Sequence, residues 1–262
     1  MKTKNLVLML AAAAAAFALA GCIDVEESVS LQRDLSGTAS MRMTVDLEPM
    51  VMFAAAMTHG MSGKPGDPTP AEIDEARKGF LDKQRHEDRA EHEREHATQR
   101  EQLVKSLPPG VRLLSSSVDE QGTKILARFQ FGFDDVHKLA HLKLPDKGDA
   151  GQPGQNPYQD PFSSLQVVDE GRTILVTLSG GDPAARLQSQ AAGKNPAAGN
   201  PEMTKAFEAA FKDARFAFRL ESPFEVVETN ATRRDGRTLV WEIKASDPQP
   251  KMPQTLMARL RK

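Results

Sequence analysis

The stretch "GTASMRMTVDL", Gly37 to Leu47, decides the fold class of this chain. Ala39, Met41, Met43, Val45 and Leu47 fall on one side of it, and Ser40, Arg42, Thr44 and Asp46 on the other. Successive side chains of a pleated backbone point to opposite faces, so a period of two marks a strand with one buried face. A helix would bring residues three and four apart together and would scatter these apolar positions around its axis.

The same signature recurs outward from that stretch, in pairs joined by acidic or Gly-bearing turns. "DVEESVSLQ" precedes it across Asp34-Leu35-Ser36-Gly37. "GVRLLSSSV" and "TKILARFQFGF" flank Asp119-Glu120-Gln121-Gly122, with Ile125, Ala127, Phe129, Phe131 and Phe133 alternating against Lys124, Arg128 and Gln130. "SSLQVV" and "RTILVTL" flank Asp169-Glu170-Gly171. A helix is expected over Glu202 to Ala214, followed by the strand "RFAFRL". A last hairpin is expected between "FEVVET" and "RTLVWEI" around Asp235-Gly236, with Leu239, Trp241 and Ile243 on one face. Asp-Gly is a strong hairpin signal because Gly tolerates the positive φ of a tight turn. Hairpins imply antiparallel pairing, so the expected class is α+β, with about eight to nine strands and intervening helices. Whether they close into one sheet or two is open at this level. "GMSGKPGDPTP", "PDKGDAGQPGQNPYQDP" and "AAGKNPAAGNP" are rich in Pro and Gly and read as surface loops.

The N-terminus reads "MKTKNLVLMLAAAAAAFALAGC". Lys2 and Lys4 form a short basic region, and Asn5 to Ala18 is an almost wholly apolar run. That run has signal-peptide length and is short for a membrane span, which takes about 20 residues. Leu19-Ala20-Gly21-Cys22 resembles the lipobox of bacterial lipoproteins. The resemblance implies cleavage between Gly21 and Cys22, a diacylglycerol thioether on the Cys22 thiol, and acylation of the freed amine. Cys22 is also the single cysteine of the chain, so no intrachain disulfide forms. Two or three acyl chains anchor a protein durably where one binds only marginally. Ile23, rather than Asp, follows Cys22; by resemblance to the Gram-negative sorting pattern this favours the periplasmic side of the outer membrane.

The expected organisation is therefore a signal peptide over 1–21, one α+β envelope domain over 22–248 with a charged helical excursion at about 71–107, and a short basic tail over 249–262. The removed segment holds two lysines and no acid, so the formal charge of −2 becomes −4 in the mature chain. No basic footprint for nucleic acid remains. Aromatics are 5% of residues, with one Tyr and one Trp. That is too few of the usual stacking anchors to make a carbohydrate platform.

"GCIDVEESVSLQRDLSGTASMRMTV" and "FAFRLESPFEVVETNATRRDGRTLVWEI" are similar to the two ends of LppM-type bacterial lipoproteins. In that pattern a lipobox, a strand, a Gly turn and an alternating strand open the domain. A strand, a Pro, a turn with Asn (Asn230), a Gly turn and a strand with Trp (Trp241) close it. The resemblance implies a membrane-tethered α+β domain with no known enzymatic activity, and contact with envelope lipid. It carries over no catalytic residue, and the long charged helix departs from it.

That helix contains "HEREH", His92 to His96, an H-E-x-x-H pattern. On a helix His92 and His96 share a face and can bind Zn²⁺, with Glu93 as general base of a metallopeptidase. The surroundings argue otherwise. Between Asp82 and Gln102 the only apolar residues are Ala90 and Ala97, and the histidine face continues through Arg85, Arg89 and Gln99. A catalytic zinc helix needs a partly dry, shaped site, whereas a helix polar all round is a solvated one. Neither His86 nor the pair His137 and His141 has the spacing of a third zincin ligand. The stretch reads as a solvated arm with intrahelical pairs such as Asp74 with Lys78 and Glu91 with Arg94. A sharper reading makes it the docking arm of an assembly subunit, through Ala90, Ala97, Ile73, Phe80, Val104 and Leu107.

Met41 and Met43 read as core, and Met50, Met57 and Met61 with Phe53 as a helical core stripe, or else as an adaptable surface for a lipid chain. "KMPQTLMARLRK" reads as a frayed tail or a short amphipathic helix with Leu256, Met257 and Leu260 apolar and Arg259, Arg261 and Lys262 basic. Asp134-Asp135 and Asp24, Glu26 and Glu27 read as solvated turns and faces. The expected function is a non-enzymatic envelope lipoprotein that binds envelope lipid or a protein partner, without cofactor.

Overall fold

A computed structural model describes residues 23–63, 66–86, 98, 100–142, 162, 164–179, 215–244, 253 and 255–262. Its class is α+β. β1 (Ile23–Leu31) and β2 (Gly37–Asp46) lead into α1 (Glu48–Met61) and α2 (Pro70–His86). β3 (Val111–Gln121) and β4 (Lys124–Phe133) follow, then a 3-10 helix (Val136–His141), β5 (Leu165–Asp169) and β6 (Thr173–Leu178). β7 (Arg215–Glu221), β8 (Glu225–Thr229), β9 (Arg233–Asp235), β10 (Thr238–Lys244) and β11 (Leu256–Arg261) complete the described elements.

The strands form two sheets. One has seven strands in the order β3-β4-β2-β1-β7-β10-β9, the other four in the order β5-β6-β11-β8. The expected hairpins β1–β2, β3–β4 and β5–β6 are present and antiparallel. The alternation read in β2 and β4 is the burial seen. Ala39, Met41, Val45, Ala127, Phe131 and Phe133 are buried, and Met43, Ile125 and Phe129 pack against them. In the β1–β2 turn Leu35 adopts φ 66°, a left-handed conformation costly for a non-glycine residue. The turn is held by Asp34, whose Oδ1 accepts the Ser36 N–H at 3.0 Å, and by the Val136 N–H donating to Leu35 O at 3.0 Å. Gly37 follows because a Cβ there would meet Ser30 O at 1.9 Å.

Eleven strands among the described residues exceed the expected eight to nine, and three differences account for the topology. β7 pairs in parallel with β1, so the large sheet is mixed. The last hairpin is β9–β10, turned at Gly236 with φ 60°, while "FEVVET" forms β8 and crosses to the small sheet. The segment read as a basic tail or helix contains β11, which pairs with β6 on one side and β8 on the other. Six residues of "LMARLR" suit a period of two as well as one of 3.6. The strand prevails because Leu256, Ala258 and Leu260 then all enter the core, and both edges of the strand find hydrogen-bond partners. Its outward Arg259 and Arg261 pair with Glu228 and Glu225 on β8, and Arg259 also with Glu170 in the β5–β6 turn.

One apolar cluster joins the two sheets. Phe131, Phe218, Leu220, Leu239 and Trp241 from the large sheet meet Val167, Ile174, Val176, Leu178, Ala258 and Leu260 from the small one. A second cluster, Val25, Val45 and Leu47, takes Phe80 of α2 together with Met43, Ile125 and Phe216. α2 opens with a capping box. The Thr69 N–H donates to Glu72 Oε2 at 2.8 Å and the Glu72 N–H to Thr69 Oγ1 at 3.4 Å, with Pro70 as the first residue. The same Glu72 oxygen accepts His59 Nδ1 at 2.9 Å, and Arg77 bridges Asp74 to Glu48, so α1 and α2 form a cross-linked hairpin.

The expected continuous helix over 71–107 is described in two parts, α2 and the helical residues 100–106. Its ends turn inward to this chain's own core: Phe80 packs on the second cluster, Leu103 is buried in the first, and Leu107 packs against it. Of the docking residues named near its ends, Val104 is 51% exposed.

Candidate functional site

The lipidation residue Cys22, its neighbour Gly21, and the zinc candidates His92, Glu93 and His96 all lie outside the described residues. Among the described residues no group of three or more His, Cys, Asp or Glu is arranged to hold a metal ion. His137 and His141 do not share a face. Their helix is 3-10, in which residues four apart are separated by about 120° rather than the ~40° of an α-helix.

Asp134 and Asp135 are turn residues, as read. Asp134 pairs with Lys138 at 2.8 Å, and Asp135 caps the 3-10 helix by accepting the His137 N–H at 3.0 Å. His137 does more than fill the turn. Its Nδ1 lies 2.6 Å from Asp135 Oδ1 and its Nε2 lies 2.8 Å from the Val167 carbonyl, so the ring ties the turn to β5. Two acceptors favour the doubly protonated ring. The Asp135 hydrogen bond raises the His137 pKa against an opposing effect of burial. The stabilisation is therefore full below the ordinary His pKa of 6.5 and is lost as pH rises through the raised value. His137 is half exposed, so solvent screening limits the effect to a few tenths of a kcal/mol up to about 1. In urea unfolding curves His137→Gln should lessen by that small amount the loss of stability as pH rises from the ordinary His pKa through the raised value; a pH dependence identical to wild type would show that the clip contributes nothing.

The acidic trio of β1 divides between two environments. Asp24 and Glu26 point to the outer face, where Arg215 Nε and Nη2 meet them at 3.0 Å each and Arg219 Nε lies 2.9 Å from Glu26. Glu27 points to the core face and is 5% exposed, which corrects its reading as a solvated residue. The register sets Met41 of β2 on one side of it and Phe218 of β7 on the other, with Phe129 and Trp241 one strand further out. Along β1 it stands between Val25 of the second apolar cluster and Val29 of the first. Burial pushes its pKa from 4.5 up to about 8. At neutral pH it is a neutral acid, able to donate one hydrogen bond between two apolar cores. The signal was present in the sequence. Val25, Glu27, Val29 and Leu31 share one face of the β1 alternation, and a lone acid on an apolar face is not a solvated one.

The methionine readings also divide. Met41 is core, as expected. Met57 and Met61 are 38% and 81% exposed, which overturns their reading as core filling. The buried stripe of α1 is Val51, Ala55 and His59 instead, because α1 turns that side toward α2.

No family model matches the chain, and no curated protein matches it. Among solved structures it is similar to the folded domain of LppM from Mycobacterium tuberculosis, determined by NMR. The two are 12% identical over 92% of this chain and 90% of that one, with a TM-score of 0.42. A likeness of that degree decides nothing about function. No helix of the described residues is long and apolar enough to cross a membrane.

Proposed function

We propose that this chain is an envelope lipoprotein, acylated at Cys22, that acts by binding envelope lipid or a protein partner and has no catalytic step of its own. The observation that carries the reading is how the lipobox meets the sheet. β1 begins at Ile23, the residue after Cys22, and is the middle strand of seven. An anchor on Cys22 would thus join the domain at its central strand, with the sheet's Ile23 edge against the lipid headgroups. In a Gram-negative cell Ile23 favours the outer membrane. The motif residues Asn230 and Trp241, which carry the resemblance to LppM-type lipoproteins, support the reading in another way. They bond to each other, Trp241 Nε1 donating to Asn230 Oδ1 at 2.8 Å, which gives the motif a structural role in joining its turn to its strand.

Intact-mass spectrometry of the protein from its native envelope tests this. The denatured mass should equal residues 22–262 plus a diacylglycerol and an amide-linked acyl chain, and an unmodified chain would overturn the address. The native spectrum should show bound lipid or a partner subunit. One zinc per chain, lost in His92→Ala and His96→Ala, would instead favour a metallopeptidase.

A further inference from the structure

α1 is a surface helix with no charged side. From Pro49 to Gly63 the sequence contains no Asp, Glu, Lys or Arg. Its inner side consists of Val51, Ala55 and His59, one helical turn apart and buried. Its outer side, opposite these, holds Met57 and Met61, exposed by 38% and 81%, with Ala56 and Gly60 also exposed, while Met52, 52% exposed, stands on the flank beside Val51, about 140° from Met57. A helix on a water-facing surface carries polar and charged residues on its outer side. Here that side offers thioethers and methyl groups.

The strand register tells where this helix starts. Ile23 pairs with Val45, and α1 begins at Glu48, just past the end of β2. The Leu47 N–H donates to Thr123 O at 2.7 Å, which fixes the start of α1 to the turn between β3 and β4. That turn, the end of β2 and the start of β1 share one edge of the large sheet, because β4 pairs with β2 from Lys124 at Asp46. The helix therefore leaves the sheet at the edge where acyl chains on Cys22 would enter a bilayer.

We propose that the methionine face of α1 lies in the interfacial layer of the membrane and serves as a second, non-covalent anchor beside Cys22. This rests on the acylation of Cys22 proposed above. Fourteen residues make a helix of about 21 Å; it is too short to span the hydrocarbon and suited to lying along its surface. Methionine is unbranched and flexible, so its side chains adapt to a disordered acyl surface without a fixed complementary shape. No ionised group on that side has to be desolvated as it enters. Acyl anchors hold best when a second signal joins them, and the register supplies one within reach of the first.

The test uses the full acylated chain carrying Met61→Cys, labelled there with a polarity-sensitive fluorophore, since the Cys22 sulfur is then a thioether. In vesicles of phosphatidylethanolamine and phosphatidylglycerol the label should shift to the blue. Lipids brominated near the headgroup should remove about half its intensity, because interfacial helices sit ~5–10 Å deep. Adding Met57→Asp should return the label to water-like emission. The same label at Val227→Cys, on β8 of the small sheet, should ignore the lipid. An acylated protein whose Met61 label stays in water would overturn this inference alone. So would a blue-shifted label that brominated lipid does not quench, which would mean a second copy or another protein on the face. An unmodified mass on the same sample would overturn the acylation and this inference together.

Discussion

Glu27→Gln is expected to stabilise the protein by about 3 kcal/mol at pH 7 and about 5 kcal/mol above pH 8, and to change little near pH 4.5. The carboxyl is flanked by Met41 and Phe218 across the sheet and is 5% exposed. Burial raises its pKa from 4.5 to about 8. Below 4.5 the group is neutral in both states and contributes no pH dependence. Between 4.5 and 8 the unfolded chain has released a proton that the folded chain still holds, so stability falls as pH rises. Above about 8 both states are ionised and the loss is complete. Each pKa unit corresponds to ~1.4 kcal/mol, which gives the figures above as orders of magnitude. Glutamine has nearly the same shape and cannot ionise, so its profile lacks the fall. Urea unfolding of both proteins from pH 4.5 to 9 is the measurement, and subtracting the two profiles removes His137 and every other shared titration. Parallel profiles would mean that the carboxyl is solvated or paired. A domain of this kind has about 5–15 kcal/mol in all. The ionised carboxyl would consume a large part of that, so the protein should soften markedly in mild alkali and the variant should not.

Asn230→Ala should cost about 3 kcal/mol or more, with its damage concentrated where the two sheets meet. Asn230 Oδ1 accepts Trp241 Nε1 from β10 at 2.8 Å and the Met257 N–H from β11 at 2.8 Å, and its Nδ2 donates to Thr255 O at 2.8 Å. One side chain thus links the large sheet to the small one. Alanine leaves the indole N–H of Trp241, which is 1% exposed, without its acceptor. A buried donor stripped of its partner costs about 1–3 kcal/mol, and here a backbone donor and a carbonyl are stripped as well. Trp241 is the single tryptophan, so its fluorescence reads the site directly. The expected results are a red-shifted emission, faster hydrogen exchange at Met257, and a lower urea midpoint. Asn230→Asp keeps the acceptor and loses the donor, so it should fall between wild type and alanine. A loss under about 1 kcal/mol in Asn230→Ala, with unchanged emission, would show that the sheets are held by their apolar cluster alone.

These two residues show how much of the site was legible beforehand. Asn230 and Trp241 were visible as a motif, but a motif in a turn and a strand does not say that its two members touch. Glu27 was visible as an acid among others. Its environment was encoded in the alternation of β1, which puts it on the same face as Val25 and Val29. Nothing local showed that this face would be covered across its whole width. His137 was set aside as a zinc ligand on spacing alone, and nothing local showed that its ring bonds to β5, thirty residues away in sequence. The methionines of α1 read as a stripe, and a stripe has two sides. Which side is buried depends on where α2 docks.

By itself the sequence determined the positions of most strands, the three sequential hairpins, and the turns at Gly37, Gly122, Gly171 and Gly236. Each is a local property: side-chain alternation follows from the pleat, and tight turns follow from what glycine alone tolerates. The tertiary structure decided the rest. It set β7 parallel to β1, sent β8 to the small sheet, and made a strand of "LMARLR" by supplying a neighbour on each edge. It also buried Glu27 and left Met57 and Met61 in the open. A strand carries free donors and acceptors on both edges and does not specify who satisfies them. That choice, and the burial that comes with it, depends on groups far apart in the chain.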